Sequence, residues 1–273
     1  MACGIVLAAH GSRHPGAMAA LAAFGERLGR EYPECLVAIA RTVGRKHGGT
    51  EAFGGARRVP DVLAAMAAQG IKRVAVQSLH VVPGEEYHEM LAGLRRFLEN
   101  GGRRMTFSVG APLLASLADV DRVAGAVLAG LPPERSPGEA LVVMGHGAPP
   151  PGAGFYEALR EKLLRLDPLA RFGAMPRERG VPCPDLEAII TDLSAQNIRT
   201  AWLLPFLTVA GAHACCDLAG EAPTSWRGRL EAAGIACRPH LAGLVEQPAM
   251  TAVWCDHLAT ALAHLPGALA PGA

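Results

Sequence analysis

The run Ile5-Val6-Leu7-Ala8-Ala9-His10-Gly11 is nearly repeated as Leu141-Val142-Val143-Met144-Gly145-His146-Gly147. Gly16-Ala17 follow the first histidine at the offset at which Gly152-Ala153 follow the second. A chain that twice writes an apolar run, His-Gly, a Gly/Pro turn and a helical pattern is constrained to fold as two similar halves. The runs read as strands, and in an open parallel sheet ligands bind just outside the carboxyl ends of the strands. An imidazole at that position is placed for chemistry, whereas one buried mid-strand is not.

With 273 residues and 50% hydrophobic content, the chain can bury one large core or two medium ones. The formal net charge of +1 argues against a nucleic-acid binder relying on a broad basic field. An anionic substrate would have to be met by local arginines. Seven cysteines, with no C-x-x-C and a single adjacent pair, Cys215-Cys216, suit reduced cytosolic thiols better than a disulfide framework. The apolar stretch of the N-terminus stops at His10 and has no basic region before it, so it reads as a first strand and not as a signal peptide. No run approaches the ~18 apolar residues that span a bilayer. The expectation is a soluble, cytoplasmic protein that engages neither nucleic acid nor membrane; a homo-oligomer is left open.

Strand-like runs at 4–9, 35–41, 72–79, 105–110, 140–145, 170–175, 200–208 and 235–239 alternate with amphipathic stretches. In the stretch from Glu86 to Leu98, Tyr87, Met90, Leu91, Leu94, Phe97 and Leu98 recur at helical spacing before Gly101-Gly102. Such alternation predicts βαβ units and parallel sheets, an α/β fold. The Pro/Gly/charge-rich stretch from Leu131 to Gly138 reads as the linker, giving an N-terminal half at 1–131 and a C-terminal half at 139–273. The tail from Pro266 reads as frayed.

A second pair of segments carries further chemistry. Val74 to His88 contains Gln77-Ser78-Leu79-His80-Val81-Val82-Pro83-Gly84-Glu85-Glu86-Tyr87, and Ala201 to Cys216 contains Pro205-Phe206-Leu207-Thr208-Val209-Ala210-Gly211-Ala212-His213. Aligning their Val-x-Gly cores sets Glu86 opposite His213, each where a strand ends and a helix opens. The repeat thus predicts a cleft between halves, edged by His10 and Glu86 on one side and by His146 and His213 on the other. Neutral imidazoles with a carboxylate suit a borderline divalent ion such as Co²⁺, Ni²⁺, Fe²⁺ or Zn²⁺. A single histidine at a strand end is more often a hydrogen-bonder than a ligand, but two in repeated, glycine-flanked positions favour function. Compact H-E-x-x-H and paired C-x-x-C signatures are lacking, as are a G-x-x-x-x-G-K-[ST] loop and a G-x-S-x-G elbow. Ala9 stands where a phosphohistidine site would want arginine. Cys215 and Cys216, beside Ala214 and Leu218, read as helix-face packing in preference to soft metal ligands.

Gln77-Ser78-Leu79-His80 with Gly84-Glu85-Glu86-Tyr87, Gly145-His146-Gly147 and the run from Pro205 to His213 together resemble the CbiK-type sirohydrochlorin cobaltochelatases, class II chelatases. Ser225-Trp226-Arg227 and the stretch from Ala233 to Ala249 extend the resemblance over nearly the whole chain. His10-Gly11-Ser12-Arg13 is more similar to the related short, single-half chelatases. The resemblance implies two flavodoxin-like halves around a tetrapyrrole cleft, and insertion of Co²⁺ into sirohydrochlorin on the anaerobic route to cobalamin. It also implies a metal-binding Glu in a Val-Glu-Gly-Tyr-Pro-like turn after the strand at 170–175. Here that region reads differently: counting from Gly173 favours Glu178, counting back from Pro184 meets Val181, and Glu178 is the candidate.

Inserting a metal into a free-base tetrapyrrole removes two N–H protons while the ion exchanges its ligands for ring nitrogens. An imidazole with an ordinary pKa near ~6.5 is largely neutral at cytoplasmic pH and can bind metal or take a proton. His146 and His213 are expected as metal ligands and catalytic groups, and Glu86 as proton acceptor, with Glu85 as its neighbouring competitor. Four good ligands would trap the ion, whereas three leave an open position. The carboxylates of sirohydrochlorin call for guanidinium partners; Arg13, beside His10, and Arg45, in the loop after the second strand, are the candidates. His10 and Glu85 join them as substrate-binding residues. Ferrochelation with Fe²⁺ and a non-catalytic tetrapyrrole or metal carrier are the competing readings, with a metal-dependent hydrolase behind them.

Overall fold

The computed structural model describes residues 3–42, 57–100, 105–149, 152–175 and 184–265. Among these residues eight strands form two parallel sheets: β1 (Cys3–Ala9), β2 (Cys35–Arg41), β3 (Arg73–Ser78) and β4 (Thr106–Gly110) in one, and β5 (Ala140–Gly145), β6 (Ala170–Ala174), β7 (Thr200–Phe206) and β8 (Ala236–Pro239) in the other. Their orders, β2-β1-β3-β4 and β6-β5-β7-β8, are the same. Each of the eight strand-like runs of the sequence is a strand. The central β1 and β5 are buried at every position, which is why they read as unbroken apolar runs and not as alternating ones.

The helices are α1 (Pro15–Glu31), α2 (Val59–Ala68), α3 (Glu85–Glu99), α4 (Leu117–Ala129), α5 (Gly152–Leu166), α6 (Pro184–Ala195), α7 (Trp226–Ala232) and α8 (Pro248–Ala263). The apolar stripe of α3 buries Met90 and Leu94 against Val6, Val74, Leu63 and Met66 in the first core. The second core gathers Val142, Met144, Leu203, Leu186, Ile189, Leu218 and Leu230. No helix among the described residues is long and apolar enough to cross a membrane.

Two compact units result: Met1–Ala115 with Met250–Ala273, and Ser116–Ala249. Each holds one sheet, and the linker read at 131–139 lies between the sheets in sequence. The helices are assigned otherwise: α4 belongs with the second sheet, where it packs on α5, and most of α8 belongs with the first. There Arg27 of α1 donates to Cys255 Sγ at 3.5 Å, and His257 Nδ1 lies 3.2 Å from the Ala111 carbonyl.

One expectation is corrected. Cys3 and Cys35 are joined by a disulfide, with Cα atoms 4.6 Å apart, where the sequence reading had only reduced thiols. They are register partners on adjacent parallel strands, a proximity that a separation of 32 residues conceals. Cys215, Cys216, Cys237 and Cys255 are free thiols.

The ladders fix which residues of the two units correspond. β1 pairs Ala8 with Ser78 and Ala9 with Arg41; β5 pairs Met144 with Pro205 and Gly145 with Ala174. Setting His10 on His146 therefore sets Ser78 on Pro205, His80 on Leu207, Glu86 on His213 and Thr42 on Met175. Loop bonds repeat in the same frame. Leu113 and Leu114 donate to the carbonyls of His80 and Val81, as Leu244 and Val245 do to those of Leu207 and Thr208.

Candidate functional site

In the first unit, β1 ends at Ala9 and delivers His10 at the carboxyl edge of the sheet. The Gly11 that follows has φ +92°, as Gly147 after His146 has φ +81°. Side chains other than glycine rarely accept this left-handed conformation, so the repeated His-Gly is the turn that lifts each imidazole off its strand end. Gly84 caps α3, and Glu85 and Glu86 occupy its first turn, where carboxylates meet the positive end of the helix dipole. Glu86 Oε1 lies 2.6 Å from His10 Nδ1, with the two side chains 37% and 51% exposed.

Behind them sits a residue that the sequence reading passed over. His80 is 9% exposed, with Nε2 3.7 Å from Glu86 Oε2, Nε2 3.1 Å from Thr42 Oγ1 and Nδ1 2.9 Å from Ser78 Oγ. Burial pushes its imidazole down to about 4, against a smaller upward pull from Glu86, so the ring is neutral at pH 7.

In the second unit, His146 follows β5 and is exposed, and His213 opens the π-helix His213–Leu218 after β7. The two rings meet edge to face, centroids 5.2 Å apart and planes at 77°. His213 Nδ1 lies 2.5 Å from Asp217 Oδ2. A carboxylate that engages one ring nitrogen fixes the tautomer and leaves the other, Nε2, with its lone pair, the form in which an imidazole binds a metal. π-Helical turns concentrate at functional sites. This one buries Ala214 and Leu218 and exposes Cys216. A cleft of about 330 Å³ opens beside Gly147, lined among others by Tyr156, Arg160, Met175 and Asp185. Arg160 is held by Asp185 at 2.8 Å.

The structure thus brings His10 to Glu86 and His146 to His213. Arg13 and Glu85 are exposed, Arg13 in the loop that His10 opens and Glu85 next to Glu86. Arg45 and Glu178 lie outside the described residues. The sequence reading missed Asp217, whose His-x-x-x-Asp spacing puts it one turn from His213. It quoted His80 within the Gln77-to-His80 run without giving it a role, and missed Thr42, its partner 38 residues away in the chain.

A model of the cobalt chelatase (CbiK) family matches residues 3–263. The chain is 38% identical over 268 residues to the sirohydrochlorin cobaltochelatase CbiKC of Nitratidesulfovibrio vulgaris (strain Hildenborough), covering 96% of this chain and 91% of that protein. It is 35% identical over 197 residues to the sirohydrochlorin cobaltochelatase of Salmonella typhimurium (strain LT2), covering 72% and 71%. The structure of SirB from Bacillus subtilis with Fe³⁺ shares the fold, with TM-score 0.65 at 17% identity over 96% of each chain.

Proposed function

The chain belongs to the cobalt chelatase (CbiK) family, and from that premise we propose that it inserts Co²⁺ into sirohydrochlorin, a cytoplasmic step toward cobalamin. The observation that carries this reading is the His146–His213 pair, two imidazoles 5.2 Å apart at strand ends, one of them oriented by a carboxylate.

In this reading His146 and His213 take Co²⁺ through neutral ring nitrogens, and Glu178 is the candidate third ligand. Few ligands keep the ion exchangeable, so that ring nitrogens can displace them. Glu86 accepts the pyrrole protons; it stands at the ladder position that His213 holds in the other unit. Two protons leave as one dication enters, so charge balances. His10, Arg13, Glu85 and Arg45 are the proposed contacts to the substrate rim. Fe²⁺ is the competing metal, because affinity order alone does not separate it from Co²⁺ in a site of this chemistry.

The test is to incubate purified protein with sirohydrochlorin and Co²⁺, Fe²⁺ or Ni²⁺ separately and follow the absorbance change of the macrocycle. Cobalt is expected to give the fastest enzyme-dependent rate, and His146→Ala to remove most of it without unfolding the protein. Near-wild-type metallation by His146→Ala would refute the ligand assignment. Binding of sirohydrochlorin without any rate enhancement would make the protein a carrier.

A further inference from the structure

Three corresponding positions differ in chemistry between the units. In the first they hold Ser78, His80 and Thr42; in the second, Pro205, Leu207 and Met175. The second set is apolar, with Leu207 and Met175 8% and 9% exposed in a hydrophobic cluster. The fold therefore closes at this place without polar groups. Burying hydroxyls and an imidazole costs stability unless every group is satisfied, yet the first unit keeps them, directly behind Glu86.

The acceptor-only carboxylate of Glu86 beside Nε2, 3.7 Å away, favours one proton arrangement among these hydrogen bonds. In it the Thr42 hydroxyl donates to the Ala9 carbonyl at 3.1 Å and its oxygen accepts from His80 Nε2–H. Ser78 Oγ accepts from the His80 backbone N–H at 3.3 Å, and its hydroxyl donates to Nδ1, the nitrogen that the Nε2–H form leaves as acceptor. The ring is then the Nε2–H tautomer, its Nε2 held between Thr42 Oγ1 and Glu86 Oε2.

We propose that His80 is a positioning residue for Glu86. Locked by Ser78 and Thr42, it presents a fixed N–H dipole that favours the ionised carboxylate, and it leaves the exposed His10 to pass protons to water. The charged groups acting on His80 are Glu86 and His10, and with its two ring nitrogens engaged by Thr42 and Ser78 it acts as a fixed dipole and not as the proton carrier. A proton taken by Glu86 passes to His10 and then to solvent, and two such transfers clear both pyrrole N–H groups. The inference rests on the reading of Glu86 as the base.

The experiment measures single-turnover Co²⁺ insertion between about pH 5 and about pH 9, the range in which such bases titrate. The variants are His80→Gln, the pair Thr42→Met/His80→Leu that copies the second unit's packing, and Glu86→Gln as reference. The apolar pair should move the acidic limb of the profile up by about one pH unit, because a dipole favouring the charged form is lost. His80→Gln, which restores an N–H on that side, should bring the limb back. An unmoved limb in the apolar pair overturns the proposal. So does loss of the limb, with rates as low as those of Glu86→Gln, in both His80 variants, since His80 would then carry protons. If Glu86→Gln keeps the wild-type rate, the base assignment itself fails and takes this role with it. Imidazole ¹⁵N spectra give a readout apart from activity: the His80 signal should show protonated Nε2 and stay neutral down to about pH 5. A protonated Nδ1 would overturn the proposal.

Discussion

Acid should destabilise the first unit through one side chain. Burial holds the His80 imidazole at about 4 in the folded protein, against about 6.5 in an unfolded chain. The folded pKa is the lower one, so between these values the unfolded state binds more protons. Stability is then complete above about pH 6.5 and falls as pH drops toward 4. At about 1.36 kcal/mol per unit, the loss is about 1.4 kcal/mol at pH 5.5 and about 3 kcal/mol at pH 4. The perturbation that isolates it is Thr42→Met/His80→Leu, which removes the titrating group and borrows a packing that the fold already uses. Urea unfolding at about pH 7 and at about pH 4.5, read by pulsed hydrogen exchange in peptides of β1 and β3, reports on the first unit. Wild type should lose about 2–3 kcal/mol more than the variant over that interval. Equal losses in the two proteins would show that His80 is not held neutral by burial.

Other predictions concern the remaining site residues. Glu86→Gln should slow metallation by ~10²–10⁴-fold while Glu85→Gln does not. If Glu86 serves only the α3 dipole, single-turnover rates will not change and only about 0.3–1 kcal/mol of stability will be lost. Asp217→Asn should weaken Co²⁺ binding by about 10–100-fold, measured by metal titration; unchanged affinity would mean that the carboxylate does not orient His213. Gly147→Ala forces a left-handed φ on alanine and brings its Cβ within 3.0 Å of the Met175 carbonyl. It should cost at least about 1–2 kcal/mol in thermal unfolding and lower cobalt affinity by displacing His146. A variant as stable as wild type would remove the argument for this turn.

The strands were legible because parallel strands buried on both faces leave unbroken apolar runs, and the repeat disclosed the duplicated sheet. The correspondence of Glu86 with His213, read from aligned Val-x-Gly cores, agrees with the ladder register. What stayed hidden depends on register between distant segments. Cys3 meets Cys35, and His80 meets Thr42, only once β1, β2 and β3 are aligned. Asp217 was overlooked for another reason: Ala214 and Leu218 pack inward, and that face drew the reading of the helix toward packing. The departure of helices α4 and α8 from the linker boundary is tertiary packing that composition does not encode.

The assignment of α8 to the first unit has a consequence during synthesis. The second unit is one continuous stretch, Ser116–Ala249, whereas the first is interrupted by it. Once β4 leaves the ribosome, the β1–β4 sheet still lacks the helix that carries Trp254, which is fully buried in the finished protein. At translation rates of about 5–20 residues per second, the intervening stretch takes on the order of 10 s to make. For that interval the first unit lacks a helix that belongs to it, whereas the second, one continuous stretch, is already whole. A nascent chain stalled before Met250 should therefore carry a protease-resistant second unit and a protease-sensitive first one.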